Sequence, residues 1–343
     1  MLCAGMVARF AFDEQIAAQP DAVAAALDQP VPTLDLARPI VFTGIGTSLH
    51  ACRVAAAWVR LLTDGRVRPV ALDAYDVALT EPLRAEDQLI VVSHRGNKRY
   101  PAQVLAKARA VGAATLAVTG QSDVDIPATT VLRTCAQERA STHTVSYTTA
   151  LAVLARLIVE SVGEPAVQFR EGLRAVPAAL ATTLALPLSE ASVRALSDDT
   201  RSIALVVGAG LDAITAEEAA LKIKEGTYRW AEGMGAEFAL HGPPAVFTDA
   251  TVGYLIRPAS PDGERVAALA RLLARIGGKA FIAGSDADAD LPFAAVHPLC
   301  RPFVVVAPFQ RLVSAAAALL GSNPDLTHLE AEPWGSAISE ISL

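Results

Sequence analysis

Lysine is scarce in this chain: five residues in 343, none of them in a basic block, on a net charge of −7. A surface built to hold nucleic acid is excluded on that ground as the main function. The four cysteines, Cys3, Cys52, Cys135 and Cys300, stand far apart. Neither metal-ligand spacing nor a disulfide framework can be read from them, which suits a reducing cytoplasm. Long apolar runs are also missing. "APFQRLVSAAAALLG" is the longest, and Gln310 and Arg311 interrupt it, so no membrane span is expected. The apolar part of the opening "MLCAGMVARFAFDEQ" is too short for a signal peptide.

What the chain does have is material for a core. Hydrophobic residues make up 52% and charged residues 19%, and the length suits one large or two ordinary domains. Two strand-like runs end in paired glycines, "PIVFTGIGTSLHA" and "SIALVVGAGLDAI". Gly44 and Gly46 precede Gly208 and Gly210 by 164 residues, and the same offset joins Gly120 to Gly284. An offset held at both ends of a unit predicts two copies of one fold. Each copy reads strand, Gly-rich turn, helix, strand, helix, strand, the pattern of a parallel sheet covered on both faces. The expected architecture is α/β, with two tandem αβα sandwiches of doubly wound, flavodoxin-like type. Residues 1–30 are read as a helical segment, a helix pair broken at Pro20. Residues 31–165 form the first domain, 166–195 a helical linker, and 196–343 the second domain with a C-terminal tail.

Ligands in such folds bind beyond the carboxyl ends of the strands. In "TGIGTSLHA" two glycines permit a sharp turn, and Thr47 and Ser48 bring hydroxyls to a helix start, where N–H groups favour an anion. An ordinary capped turn would look the same. In "SHRGNKRY", Ser93 and Gly96 suit a turn into a helix, and Arg95, Lys98 and Arg99 can hold a phosphate or carboxylate. A solvated basic loop is the plainer reading. Ser141 and Thr142 in "ERASTHTVSYTTAL" open another helix, as caps or as sugar contacts. The densest signal is "EEAALKIKEGTYRWAEGMGAEFALHGPPAVF". Glu218, Lys222 and Glu225 fall at i, i+4 and i+7 on one helical face, and His241 sits in a Gly-Pro turn. A surface salt-bridge ladder would share the spacing. Base, amine and imidazole together also form an acid–base set.

At these motifs the chain resembles the double sugar-isomerase (SIS) domain family, in the form of the isomerase half of glucosamine-6-phosphate synthases (glutamine–fructose-6-phosphate aminotransferases). "TGIGTSLHA" is similar to the family's G-T-S turn, and "SHRGNK" stands at its S-Q-S-G-E-T phosphate loop. "ASTHTVSYTTAL" is similar to A-S-T-K-x-F-T-T-Q. "EEAALKIKEG" through "LHGPPAV" is similar to E-G-A-L-K-L-K-E…H-G-P-x-A-L. The resemblance implies that Glu225 shuttles a proton between sugar C1 and C2. It implies that Lys222 engages the open-chain carbonyl and can form a Schiff base, and that His241 assists ring opening. Glu218 is an acid of the same face. Thr47, Ser48, Ser93, His94, Arg95, Gly96, Lys98, Ser141 and Thr142 become substrate contacts. It implies a homodimer with active sites near the subunit interface, no metal and no organic cofactor.

The departures qualify that expectation. The chain begins at the segment leading into the first copy, so no glutaminase is expected. The phosphate loop carries His94, Arg95 and Lys98 in place of Gln, Ser and Thr, and no lysine follows Lys279. The leading expectation is a cytoplasmic sugar-phosphate isomerase or aminosugar-phosphate deaminase. A deglycase for phosphorylated fructosamines is one alternative. A sugar-phosphate-binding regulatory module without turnover is the other.

Overall fold

The computed structural model describes residues 9–201, 203–259 and 263–341. Cys3 and most of the opening stretch lie outside them. The chain divides into two units. One takes Met1–Pro20, Arg139–Thr144 and Ala175–Ile338, the other Asp21–Glu138, Val145–Arg174 and Ser339–Leu343. Each is built on its own five-stranded parallel sheet and is named here by that sheet.

The first-sheet unit runs β1 (Ile40–Gly44), α2 (Thr47–Leu62), β2 (Val70–Asp73), α3 (Ala74–Leu79), β3 (Gln88–Val92), α4 (Arg99–Val111), β4 (Ala114–Gln121), β5 (Thr130–Ala136) and α5 (Val145–Val162), and the chain continues through α6 (Val167–Ala185). Its strand order is β2-β1-β3-β4-β5. The inner strands β1 and β3 are buried along their whole length, which is why they read as unbroken apolar runs. On one face Leu89 and Val91 pack against Val104, Leu105 and Ala108 of α4. That helix stops at Gly112, which takes the left-handed conformation (φ 78°) that glycine adopts without strain. Within the same unit the Trp58 ring of α2 packs at a tilt of 48° against Phe169, with centroids 5.1 Å apart.

The second-sheet unit runs α7 (Glu190–Ser197), β6 (Ile203–Gly208), α8 (Leu211–Thr227), β7 (Ala231–Gly235), β8 (Thr251–Ile256), α9 (Glu264–Ile276), β9 (Lys279–Gly284), β10 (Leu291–Pro292), α10 (Arg301–Leu320) and α11 (Trp334–Ser339). Read from its β7 edge the order is β7-β6-β8-β9-β10, the same winding as the first sheet. Leu205, Val207 and Leu255 pack against Val266, Leu269 and Leu273 of α9. The expected α/β class, two helix-flanked parallel sheets, is the one observed. Each sheet has five strands where the sequence reading counted three.

Two further expectations are corrected. The helix pair broken at Pro20 is one helix, α1 (Ala11–Asp28), with Pro20 inside it. Proline has no N–H for the carbonyl four residues back. The Gln19 side-chain amide donates to that Ile16 carbonyl instead, at 3.1 Å. The expectation that no segment reaches membrane-spanning length also fails. Val145–Val162 and Pro298–Leu320 are each long and apolar enough to cross a bilayer, and most of each is buried inside the fold. Their apolarity is that of helices covered on most sides.

Candidate functional site

α8 leaves the end of β6 through Gly208, Ala209 and Gly210, and turns its buried side to the second-sheet core. Glu218, Lys222 and Glu225 lie along that side. Lys222 Nζ is 2.6 Å from Glu225 Oε2 and 3.4 Å from Glu218 Oε1. The Lys222 and Glu218 side chains are 0% exposed, while that of Glu225 keeps 28%. The predicted face is therefore no solvated ladder. An ammonium is enclosed between two carboxylates, and one carboxylate reaches the surface. Engagement of a carbonyl by Lys222 would require its nitrogen to give up part of this enclosure.

His241 stands apart from the three. It follows the 3-10 turn Phe238–Leu240, and its side chain is 70% exposed. Among the described residues its polar partner is Glu237, at 2.8 Å from Nε2. Arg265 Nε reaches the other Glu237 oxygen at 2.7 Å. The hydrogen bond from His241 holds the Glu237 carboxyl below its usual range, with help from the Arg265 charge.

In the first-sheet unit the glycine turn takes its predicted place between β1 and α2. Gly46 sits at φ 54° and caps the helix without a side-chain bond, which leaves Thr47 and Ser48 at the helix start. A Cβ on Gly44 would lie 2.8 Å from the Ser48 backbone, so the turn depends on glycine there. Ser93 directly follows β3, and Gly96 turns the loop at φ 73°. Arg95 is exposed and Lys98 half-buried at the start of α4. His94 turns the other way: its ring is buried, and its Nε2 accepts the Glu138 N–H at 3.1 Å. Burial holds this imidazole below its usual range, with Glu138 pulling it up and Arg95 pushing it down. Glu138 in turn accepts the Ser146 N–H at 2.7 Å, so His94 ties the loop to the start of α5.

Ser141 and Thr142 lie on the bend before α5, which begins at Val145. Their N–H groups donate to the Asp325 and Pro324 carbonyls, at 2.9 and 3.1 Å. Among the described residues the buried Thr142 hydroxyl has no partner. These residues and Glu218, Lys222, Glu225 and His241 belong to the second-sheet unit; the 47–48 and 93–98 turns belong to the first-sheet unit. Sequence reasoning missed the Glu138 anchor, whose partner lies 44 residues away, and the Glu237 support of His241. It also missed a buried pair, Asp212 with Arg301. The 164-residue offset pairs Asp212 with Ser48, and that signal could have found it. Among the described residues no cluster of His, Cys, Asp and Glu could hold a metal ion.

This fold and these residues define a class. The SIS domain pattern matches residues 34–160, and the chain belongs to the SIS domain family. A glutamine–fructose-6-phosphate aminotransferase (isomerizing) from Zymomonas mobilis is 29% identical over 324 residues, covering 86% of this chain and 52% of that protein. One from Sphingobium yanoikuyae is 33% identical over 130 residues, 35% of this chain and 83% of that sequence. The chain spans about half the length of most full-length relatives it matches, such as the 52% of the first. Among solved structures, the C-terminal domain of the Francisella tularensis glucosamine-fructose-6-phosphate aminotransferase superposes with a TM-score of 0.80 at 18% identity, covering 94% of this chain and 100% of that one. The glucosamine-6-phosphate deaminase of Thermotoga maritima gives 0.75 at 19%, covering 92% and 97%. Both likenesses are of fold.

Proposed function

We propose that the chain turns over a phosphorylated sugar, as an aldose–ketose isomerase or aminosugar-phosphate deaminase of the fructose 6-phosphate/glucosamine 6-phosphate type. The observation that carries the proposal is the enclosed Glu218–Lys222–Glu225 set. A module that only binds has no need of a carboxylate at the surface backed by a buried ammonium. Glu225 is the base: it takes the proton from one of C1 and C2 and returns it to the other. A cation beside a carboxylate favours the ionised form, which is the form that accepts a proton. Lys222 holds Glu225 in place, and Glu218 balances the ammonium from behind. His241, exposed and steered by Glu237, is the group for ring opening. Relatives named for fructose 6-phosphate amination and a structural neighbour named for glucosamine-6-phosphate deamination support the substrate class.

The first-sheet unit, taken by itself, is proposed to hold an anion. Ser48 and Ser93 present hydroxyls, the α2 N-terminus presents N–H groups, and Arg95 and Lys98 add charge. The test is a thermal-shift titration with fructose 6-phosphate beside fructose. The phosphorylated sugar alone should raise the melting temperature. Arg95→Ala with Lys98→Ala should raise the apparent dissociation constant about tenfold, the scale of charge-assisted bonds. Unchanged affinity would remove these side chains from the site.

A further inference from the structure

Each sheet reverses its winding between two inner strands, β1 and β3 in one and β6 and β8 in the other. The crevice outside the carboxyl ends of such strands is where α/β sheets take ligands. The turns entering the two crevices have nearly one backbone: Gly46 at φ 54°, ψ −124° and Gly210 at φ 59°, ψ −122°. Their side chains differ. Ser48 and Ser93 flank the first crevice, and among the described residues neither hydroxyl has a partner. Asp212 and Arg257 stand at the matching places of the second.

There Arg301, at the start of α10, donates to Asp212 from Nε (3.1 and 3.0 Å) and from Nη2 (2.7 Å). The same Nη2 donates to the Arg257 carbonyl at 2.7 Å. One guanidinium thus bridges residues just past β6 and just past β8, across the reversal point. Asp212 and Arg301 are 3% and 8% exposed. The Phe293 ring lies 5.0 Å beneath Arg301. The Arg257 side chain is drawn off to Asp286 and Asp288.

We infer that the Asp212 carboxylate is the internal occupant of an anion position. The second-sheet crevice has a buried guanidinium fork, the geometry that holds a planar or tetrahedral oxyanion. The chain keeps it shut with a carboxylate of its own, so this unit takes no anion from solution, and removal of Asp212 opens the position to phosphate.

The experiment uses the full chain and inorganic phosphate as probe, with thermal melts of the wild type, Asp212→Ser, Asp212→Ala and Asp212→Ser with Arg301→Met. Without phosphate Asp212→Ser should melt below the wild type, because its Arg301 is left buried and unpaired. Phosphate at about 100 times its dissociation constant should raise its melting temperature about 5 °C more than it raises the wild type's. Loss of Arg301 should erase that increment. The comparison is with the wild-type chain, so it reads the second-sheet unit whether or not the first binds phosphate. Should Asp212→Ser fold only with phosphate present, its refolding yield against phosphate concentration reports the same site. Should it not fold at all, Asp212→Ala, which also empties the position and favours a helix more than serine does, should show the extra phosphate response. A phosphate response equal to the wild type's in the folded variants, or one that survives loss of Arg301, overturns the inference.

Discussion

Replacing Lys222 by methionine tests the enclosed ion set. The substitution keeps a long unbranched side chain and removes the charge. Glu218 is then a carboxylate at 0% exposure that has lost the ammonium 3.4 Å away. Removing one partner of a buried ion pair costs about 3–5 kcal/mol, because the other charge stays buried. Glu225 at 28% exposure adds little to that, since water screens it. One kcal/mol moves the melting temperature of a unit of this size by about 2–4 °C, so the loss should be about 6–20 °C. The assay is thermal unfolding followed by circular dichroism at about pH 7 and about pH 5. The variant should recover part of its loss at the lower pH, where protonation of Glu218 removes its buried charge. A melting temperature within about 2 °C of the wild type at both pH values, below the cost of any buried-charge loss, would refute the enclosed arrangement.

Two further outcomes are expected. His94 is neutral in the fold and held below its ordinary value of 6.5, so the unfolded chain binds its proton first as pH falls. Stability should therefore drop as pH falls below about 6.5, and His94→Gln should make that slope shallower in melts from about pH 7 to about pH 5; an unaltered slope contradicts the anchor. His297, also lowered by burial, leaves a residual slope. Gly44→Ala should cost about 1–3 kcal/mol of stability, because its methyl meets the Ser48 backbone at 2.8 Å. Gly235→Ala, with nothing within 4 Å of the added carbon, is the control and should be near neutral in the same melts.

The parts of the fold legible in the sequence are those buried on all sides. β1, β3, β6 and β8 are unbroken apolar runs because helices cover both faces, and their glycine turns announce the helices that follow. The edge strands were not legible. β2 and β10 have four and two residues, and β7, "AEGMG", carries two glycines that propensity sets against a strand. β7 exists because the buried neighbour β6 offers it a full parallel register. α1 passes through Pro20 because of one side-chain amide, a detail no periodicity carries. In the candidate site, the i, i+4, i+7 spacing placed three charges on one face. Only the fold showed that face turned inward. The basic loop looked uniform along the sequence. Its histidine faces the core because the Glu138 N–H needs an acceptor, and its arginine faces solvent.

The central claim is that Glu225 moves a proton on a sugar phosphate. The most direct measurement is mass spectrometry of fructose 6-phosphate and glucosamine 6-phosphate recovered from incubation with the protein in deuterium oxide. The wild type should place solvent deuterium at C1 or C2 of at least one of them, and Glu225→Gln should abolish the exchange while the phosphosugar still raises its melting temperature. Exchange that persists in Glu225→Gln contradicts the role of this residue. A wild type that binds the sugars and exchanges nothing contradicts turnover itself.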